Sequence, residues 1–441
     1  MIEKTFPRGG REIPHRKEAT ENKSIVVLEA PPVVTIPMQQ HIGAPCEPIV
    51  AVGDRVKMGQ KIGESKQFVC APIHASVSGR VTAIEPRSLV NGKKVMSVVI
   101  ENDGQDERVT SGSKNLVNKM SPKAIRDAVK EAGIVGMGGA GFPTHIKLEP
   151  PKPVDTILIN GAECEPYLTC DHRLMVEKPT ELVGGLRAIM KAAGASEGVL
   201  CIEANKPDAI AVLEEAIQNE PNLSIAVLQV RYPQGAEKQL IKAVLNREVP
   251  SGALPCEVGC VVNNVHTAIA VYQALTEGVS SYERVVTVSG GAILDPRNIL
   301  VRIGTPIQAL IDFCGGFMGE PAVVAAGGPM TGPPVVDLQG PVVKNLSGIL
   351  ALTHEEVGFD ENRPCIRCAR CVNACPMGLT PNMLGLLSDK GHYNEAAKIG
   401  LMDCIECGLC SYVCPSKRAL VTWIKSGKAG LAAQRAKEKV V

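Results

Sequence analysis

Aromatic residues are scarce in this chain of 441 residues: six Phe, six Tyr and a single Trp, Trp423, together 3%. So few planar rings leave no platform on which unpaired bases could stack. Charge of one sign is lacking too. Lys and Arg number 47 against 46 Asp and Glu, a net charge of +1, so no whole-chain field gathers a polyanion. Both facts argue against a nucleic-acid partner. No window approaches the roughly twenty apolar residues of a membrane span. The N-terminal stretch MIEKTFPRGGREIPHRKEATENKSIVV has no apolar signal core. The chain is therefore expected on the cytoplasmic side, without a transmembrane segment, and its length suits about three or four domains.

Cysteine, by contrast, is plentiful. Sixteen cysteines without an export signal point to metal or redox use rather than a disulfide framework. Eight of them fall in two runs, CIRCARCVNACP at 365–376 and CIECGLCSYVCP at 404–415. Each run is spaced C-x2-C-x2-C-x3-C-P, the pattern of bacterial two-cluster ferredoxins, in which the fourth thiolate reaches the neighbouring cluster. The spacing predicts one [4Fe–4S] cluster on Cys365, Cys368, Cys371 and Cys414, and a second on Cys404, Cys407, Cys410 and Cys375. Zinc sites instead present thiols as separated pairs. The scattered remainder, Cys46, Cys70, Cys164, Cys170, Cys201, Cys256, Cys260 and Cys314, are expected to be mostly small buried hydrophobes.

Ahead of the clusters, residues 33 to 100 alternate short β-rich runs with glycine turns (VVTIPM, EPIVAVGDRVKMGQKIGE, APIHASVSGRVTAIE, KKVMSVVIEND), the signature of a small all-β sandwich or barrel. The order VGDxVxxGQxI then APxxASVSGxV resembles the barrel-sandwich fold of biotinyl and lipoyl carriers. The carrier lysine position falls on Phe68 here, with Lys66 two residues off. An unmodified, structural barrel is expected.

The middle of the chain reads as a βαβ sheet, apolar strands (DTILIN, EGVLCIEA, SIAVLQV) alternating with amphipathic helices. Gly136, Gly138 and Gly141 formally match G-x-G-x-x-G, but a helix-like stretch rather than a strand precedes them, so an ordinary dinucleotide turn is not supported. Lacking Cβ atoms, these glycines still let backbone N–H groups converge on an anion or lie against a flat ring, and Lys147 can face a phosphate. NGAECEP follows a strand and sets Asn160, Glu163 and Glu165 at its carboxyl end, where open α/β sheets place ligands. YPQGAEK also ends a strand, and VVNNVHT presents two amides at a helix start. Glu163 could equally cap a helix, and His145 and His266 read as structural side chains.

GMGGAGFPTHIK, NGAECEP, GAE and VNNVHT, in that order, resemble the FMN- and NADH-binding subunit of respiratory NADH dehydrogenases. From the barrel through both cysteine runs the chain resembles the C subunits of Rnf ion-translocating electron-transport complexes. That resemblance implies a multidomain α+β architecture: an N-terminal extension (1–30), a barrel-sandwich hybrid (31–112), an α/β flavin domain (113–280), a β-grasp module of the soluble-ligand-binding type (281–350), a helical two-cluster ferredoxin-like domain (355–425) and a basic C-terminal tail (426–441). It implies FMN held by Gly136, Gly138, Lys147, Asn160, Gly235, Asn263, Asn264 and Thr267, and NADH beside Phe142, Glu165 and Glu237. Met137 and Ala236 depart from the respiratory pattern. The β-grasp module is expected to be a spacer. The activity implied is that of a peripheral subunit of a ferredoxin:NAD oxidoreductase coupled to ion pumping, passing electrons between NAD(H), FMN and the clusters on the cytoplasmic face of the cell membrane. Membrane and iron–sulfur subunits are its implied partners, with ferredoxin reached indirectly. Three other readings share some of these features: an NAD-dependent cobalamin reductase, whose barrel would follow the clusters; an iron–sulfur conduit without its own NADH site; and a swinging-arm carrier.

Overall fold

The computed structural model of the protein describes residues 3–109, 117–358 and 362–438. The expected boundary at 112 lies outside them. The barrel is built from an antiparallel sheet ordered Val33–Pro37, Lys94–Asn102, Gly79–Ser88, Arg55–Val56, and a smaller sheet of Glu47–Pro48, Lys61–Glu64 and Ile73–His74. Val34, Ile36, Ile62, Ile73, Val81 and Ile100 point inward and are fully buried, as the two-residue alternation of strands requires. Phe68 is 79% exposed on the hairpin between Lys61–Glu64 and Ile73–His74.

The flavin-type domain has a four-stranded parallel sheet ordered Leu223–Leu228, Glu197–Glu203, Thr156–Gly161, Cys260–Asn264. Chain order reverses between the last two strands, a topological switch point, and the crevice at the carboxyl ends there is where such sheets bind ligands. Helices Pro179–Ala193 and Val265–Thr276 cover one face. Gly185 makes this closeness possible: a Cβ there would stand 1.9 Å from the Ala268 carbonyl oxygen.

The β-grasp sheet runs Arg297–Arg302, Glu283–Ser289, Gly348–Leu352, Val323–Ala326, with Val26–Val27 added in parallel to its edge. The described part of the extension, residues 3–30, is thus part of the fold rather than an appendage. Lys4 joins the parallel sheet through Lys4 N–H to Val227 O at 2.9 Å. Arg11 and Tyr232 exchange backbone bonds of 2.9 and 2.7 Å, and Gly10 N–H reaches Ala374 O at 2.9 Å in the cluster domain. Lys17, fully buried, donates to the carbonyls of Glu163 and Glu165 at 3.0 Å each and to that of Leu168.

In the cluster domain, helix Pro381–Asp389 packs on Leu420–Glu438. The close approach is at Gly427, where a Cβ would lie 2.1 Å from Ser388 Oγ. The expected tail from 426 therefore continues a domain helix as far as 438, holding Leu431 in the core. Among the described residues no helix is long and apolar enough to cross a membrane.

Candidate functional site

At the switch point Asn160 and Asn264 are register partners on adjacent strands. Asn160 Nδ2 donates to Gly235 O at 2.8 Å, pinning the loop that follows the strand Leu223–Leu228. Asn264 caps the helix Val265–Thr276, its Oδ1 accepting from His266 N–H at 2.9 Å, while its Nδ2 donates to Asp171 Oδ2 at 2.6 Å. Gly138, Asn160, Gly235 and Asn264, all singled out by the motifs, line a cavity of about 330 Å³, and Glu165 joins them.

The remaining motif residues stand behind or beside this wall. Gly136 N–H bonds Phe142 O at 2.9 Å and closes the glycine loop, and Thr267 Oγ1 accepts from Met137 N–H at 3.0 Å, holding it down. Asn263 is buried, with an Nδ2 that finds no partner among the described residues. Lys147 pairs with Glu237 at 3.0 Å, and Phe142 is 37% exposed. His266 and His145 are pushed down by burial, the latter to about 4, so both are neutral.

Several cavity residues escaped the sequence reading. Seven of the eight scattered cysteines are buried, but Cys164 and Cys170 also line the cavity. Cys164 Sγ accepts from Gly235 N–H at 3.4 Å. Glu163 caps the helix Cys170–Glu177, accepting from Asp171 N–H at 2.7 Å and His172 N–H at 3.2 Å. Burial and the nearby Glu163 push the Asp171 carboxyl up to about 7. The larger revision concerns the β-grasp module. Its turn AGGPMTGP lines the cavity with Ala326, Gly327, Gly328, Thr331, Gly332 and Pro333. Glu165 ties that turn down by accepting from Met330 N–H at 3.0 Å and Thr331 Oγ1 at 2.5 Å. Desolvation raises the pKa of this buried carboxyl. A spacer was expected; the module supplies a wall of the site. The doubled glycine was the available signal, since a Cβ on Gly328 would sit 2.2 Å from Glu165 Oε2.

The two cysteine runs form two cavities. Cys375, Cys404, Cys407 and Cys410 line a narrow one of about 20 Å³, closed in by Leu379, Leu384 and Ile424. Cys365, Cys368, Cys371 and Cys414 line an open one of about 510 Å³. Each holds four thiols, and neither lining includes a His, a donor set that fits the cubane cluster implied by the spacing. Cys375 of the first run lines the cavity of the second, and Cys414 of the second run lines that of the first. Tyr232 joins the enclosed thiol cavity to the switch-point cavity: its hydroxyl donates to Cys407 O at 2.7 Å, and it shares an apolar cluster with Cys164, Met330, Cys407 and Leu409.

Family models match the chain in four consecutive stretches: the RnfC barrel sandwich hybrid domain at 4–105, the Nuo51 FMN-binding domain at 129–273, the SLBB domain at 285–334 and a 4Fe-4S dicluster domain at 357–415. An FMN-binding domain joined to a dicluster domain defines an electron-transfer flavoprotein of the iron–sulfur class. The chain is 47% identical over 433 residues to the C subunit of the Na(+)-translocating ferredoxin:NAD(+) oxidoreductase complex of Acetobacterium woodii, covering 98% of each. It is 47% identical over 437 residues to the proton-translocating counterpart of Clostridium ljungdahlii, covering 98% of this chain and 95% of that one. With the C subunit of the ion-translocating oxidoreductase complex of Rhodobacter capsulatus it shares 42% over 402 residues, covering 90% and 77%. It belongs to the RnfC family, the C subunits of these ion-translocating oxidoreductase complexes. The fold is also similar to a chain of an NAD+-reducing [NiFe]-hydrogenase, with a TM-score of 0.50 at 21% identity over 73% of this chain and 63% of that one.

Proposed function

We propose that the chain is the peripheral electron-transfer subunit of an ion-translocating ferredoxin:NAD oxidoreductase, lying on the cytoplasmic face of the membrane and working between NAD(H) and one-electron partners. The observation that carries this reading is that Tyr232 packs between residues of the two cavities, Cys164 of the switch-point cavity and Cys407 and Leu409 of the thiol cavity. When bound, FMN supplies the exchange between two-electron hydride chemistry and one-electron transfer that nicotinamide and iron–sulfur groups each lack.

The residues fit that cofactor. Gly138 gives a surface without a Cβ, Asn160 and Asn264 bring amides to the switch point, and Asn263 has a free buried donor behind them. Lys147, Gly136, Gly235 and Thr267 complete the proposed FMN set. Asp171 and Glu165, whose carboxyls are driven toward the neutral form by burial, soften the repulsion an anionic ligand would meet. Phe142, Glu165 and Glu237 are the proposed nicotinamide contacts, although Glu165 is already occupied by the β-grasp turn and Glu237 by Lys147.

Cys404, Cys407, Cys410 and Cys375 would hold the cluster nearer the flavin, and Cys365, Cys368, Cys371 and Cys414 the outer one. Equal identity to a sodium- and a proton-translocating relative supports assigning the choice of ion to other subunits. Anaerobic purification should yield about eight iron and eight sulfide per chain with noncovalent flavin, and Cys371→Ala should remove one cluster. Zinc in place of iron would sink the reading.

A further inference from the structure

We propose that the open thiol cavity is the docking face for the acidic surface of an iron–sulfur protein that exchanges single electrons with the outer group. The inference rests on the reading that Cys365, Cys368, Cys371 and Cys414 hold a cluster. Cys365 and Cys368 are exposed, whereas Cys375 of the inner set is buried. Around them Ile366, Met383 and Leu386 stay 67%, 44% and 43% exposed, an apolar centre of the kind that protein interfaces bury.

Among the described residues that line this centre, the charge has one sign. Arg367 and Arg418 belong to the lining, which contains no Asp or Glu, and Arg363 and Arg370 lie exposed beside it. None of these four arginines forms an ion pair among the described residues, although arginines elsewhere do so with Glu149, Glu177, Glu220 and Asp155. Arg418 is held in place over the Trp423 ring at 4.6 Å, and its Nη1 donates to Arg363 O at 3.4 Å. Unpaired arginines around an apolar patch steer and orient an anionic partner. A redox group at the centre selects a partner that can take or give an electron, which a lipid surface cannot.

The test uses the anaerobically purified, cluster-loaded, oxidised chain without NADH, so that it is independent of the nicotinamide site. Its affinity for a soluble acidic two-cluster ferredoxin is measured at rising salt, with basic cytochrome c as control, and iron content is determined in parallel. The affinity should fall with salt, and Arg367→Glu/Arg370→Glu should weaken it by about tenfold or more while cytochrome c binding does not weaken. Arg370→Gln, outside the lining, should weaken ferredoxin binding about threefold with full iron retained. Missing iron in the wild type would indict the cluster reading itself. Full iron with an affinity indifferent to salt and to these variants overturns the docking face. So does arginine-dependent binding to phosphatidylglycerol vesicles without ferredoxin binding.

Discussion

At Gly138 there is no room for a side chain: a Cβ would stand 2.6 Å from Asn264 Nδ2. Because Asn264 both caps a helix and holds Asp171, Gly138→Val should displace it and abolish flavin retention, while iron content stays intact. Flavin and iron assays on one preparation check this. Asp171 offers a pH signature. Its folded pKa, about 7, lies above the 3.8 of a free carboxyl, so between those values the native state binds a proton that the unfolded state has released. Stability from this group is complete below about pH 4 and is lost as pH rises through about 7. Relative to the wild type, Asp171→Asn should therefore gain stability as pH is raised across that window, and urea midpoints measured at several pH values would show whether the gap opens.

Among the elements, the N-terminal strap makes the most specific contacts. Lys17→Met would leave three carbonyls of the segment Glu163–Leu168 without their donor, costing about 3 kcal/mol; a falling denaturation midpoint monitored by circular dichroism tests this. The β-grasp turn gives a functional counterpart. Gly328→Ala should push Glu165 off the turn and lower flavin affinity by about tenfold, roughly 1.4 kcal/mol, as read by fluorescence titration. These two elements also mark where sequence reading stops. The cysteine runs and the glycine loop were legible because their geometry is local, set by residues a few positions apart. The meeting of Lys17 with Glu163, or of Thr331 with Glu165, joins positions far apart in the chain, and no period or spacing within either segment encodes it. Glu165 shows the same limit from the other side: its place at a strand's end was readable, its engagement by a distant turn was not.

Across the whole molecule, the flavin-type domain, the enclosed thiols and the open thiols form one series, with the strap and the β-grasp turn clamping the first junction. Tyr232→Phe should leave iron and flavin content unchanged but alter the electron paramagnetic resonance signal of the inner cluster, because the bond to Cys407 O is lost. Hydrogen bonds around the ligands are among the levers on cluster properties. The most direct measurement of the central claim is rapid mixing of the FMN-loaded, cluster-loaded chain with NADH under anaerobic conditions, following flavin absorbance and freeze-quenched cluster signals together. The account predicts that the flavin band bleaches first and that reduced-cluster signals then grow within the same reaction. A flavin that is bound yet stays oxidised in excess NADH would contradict it and make the chain a conduit between partners that hold the nicotinamide site elsewhere.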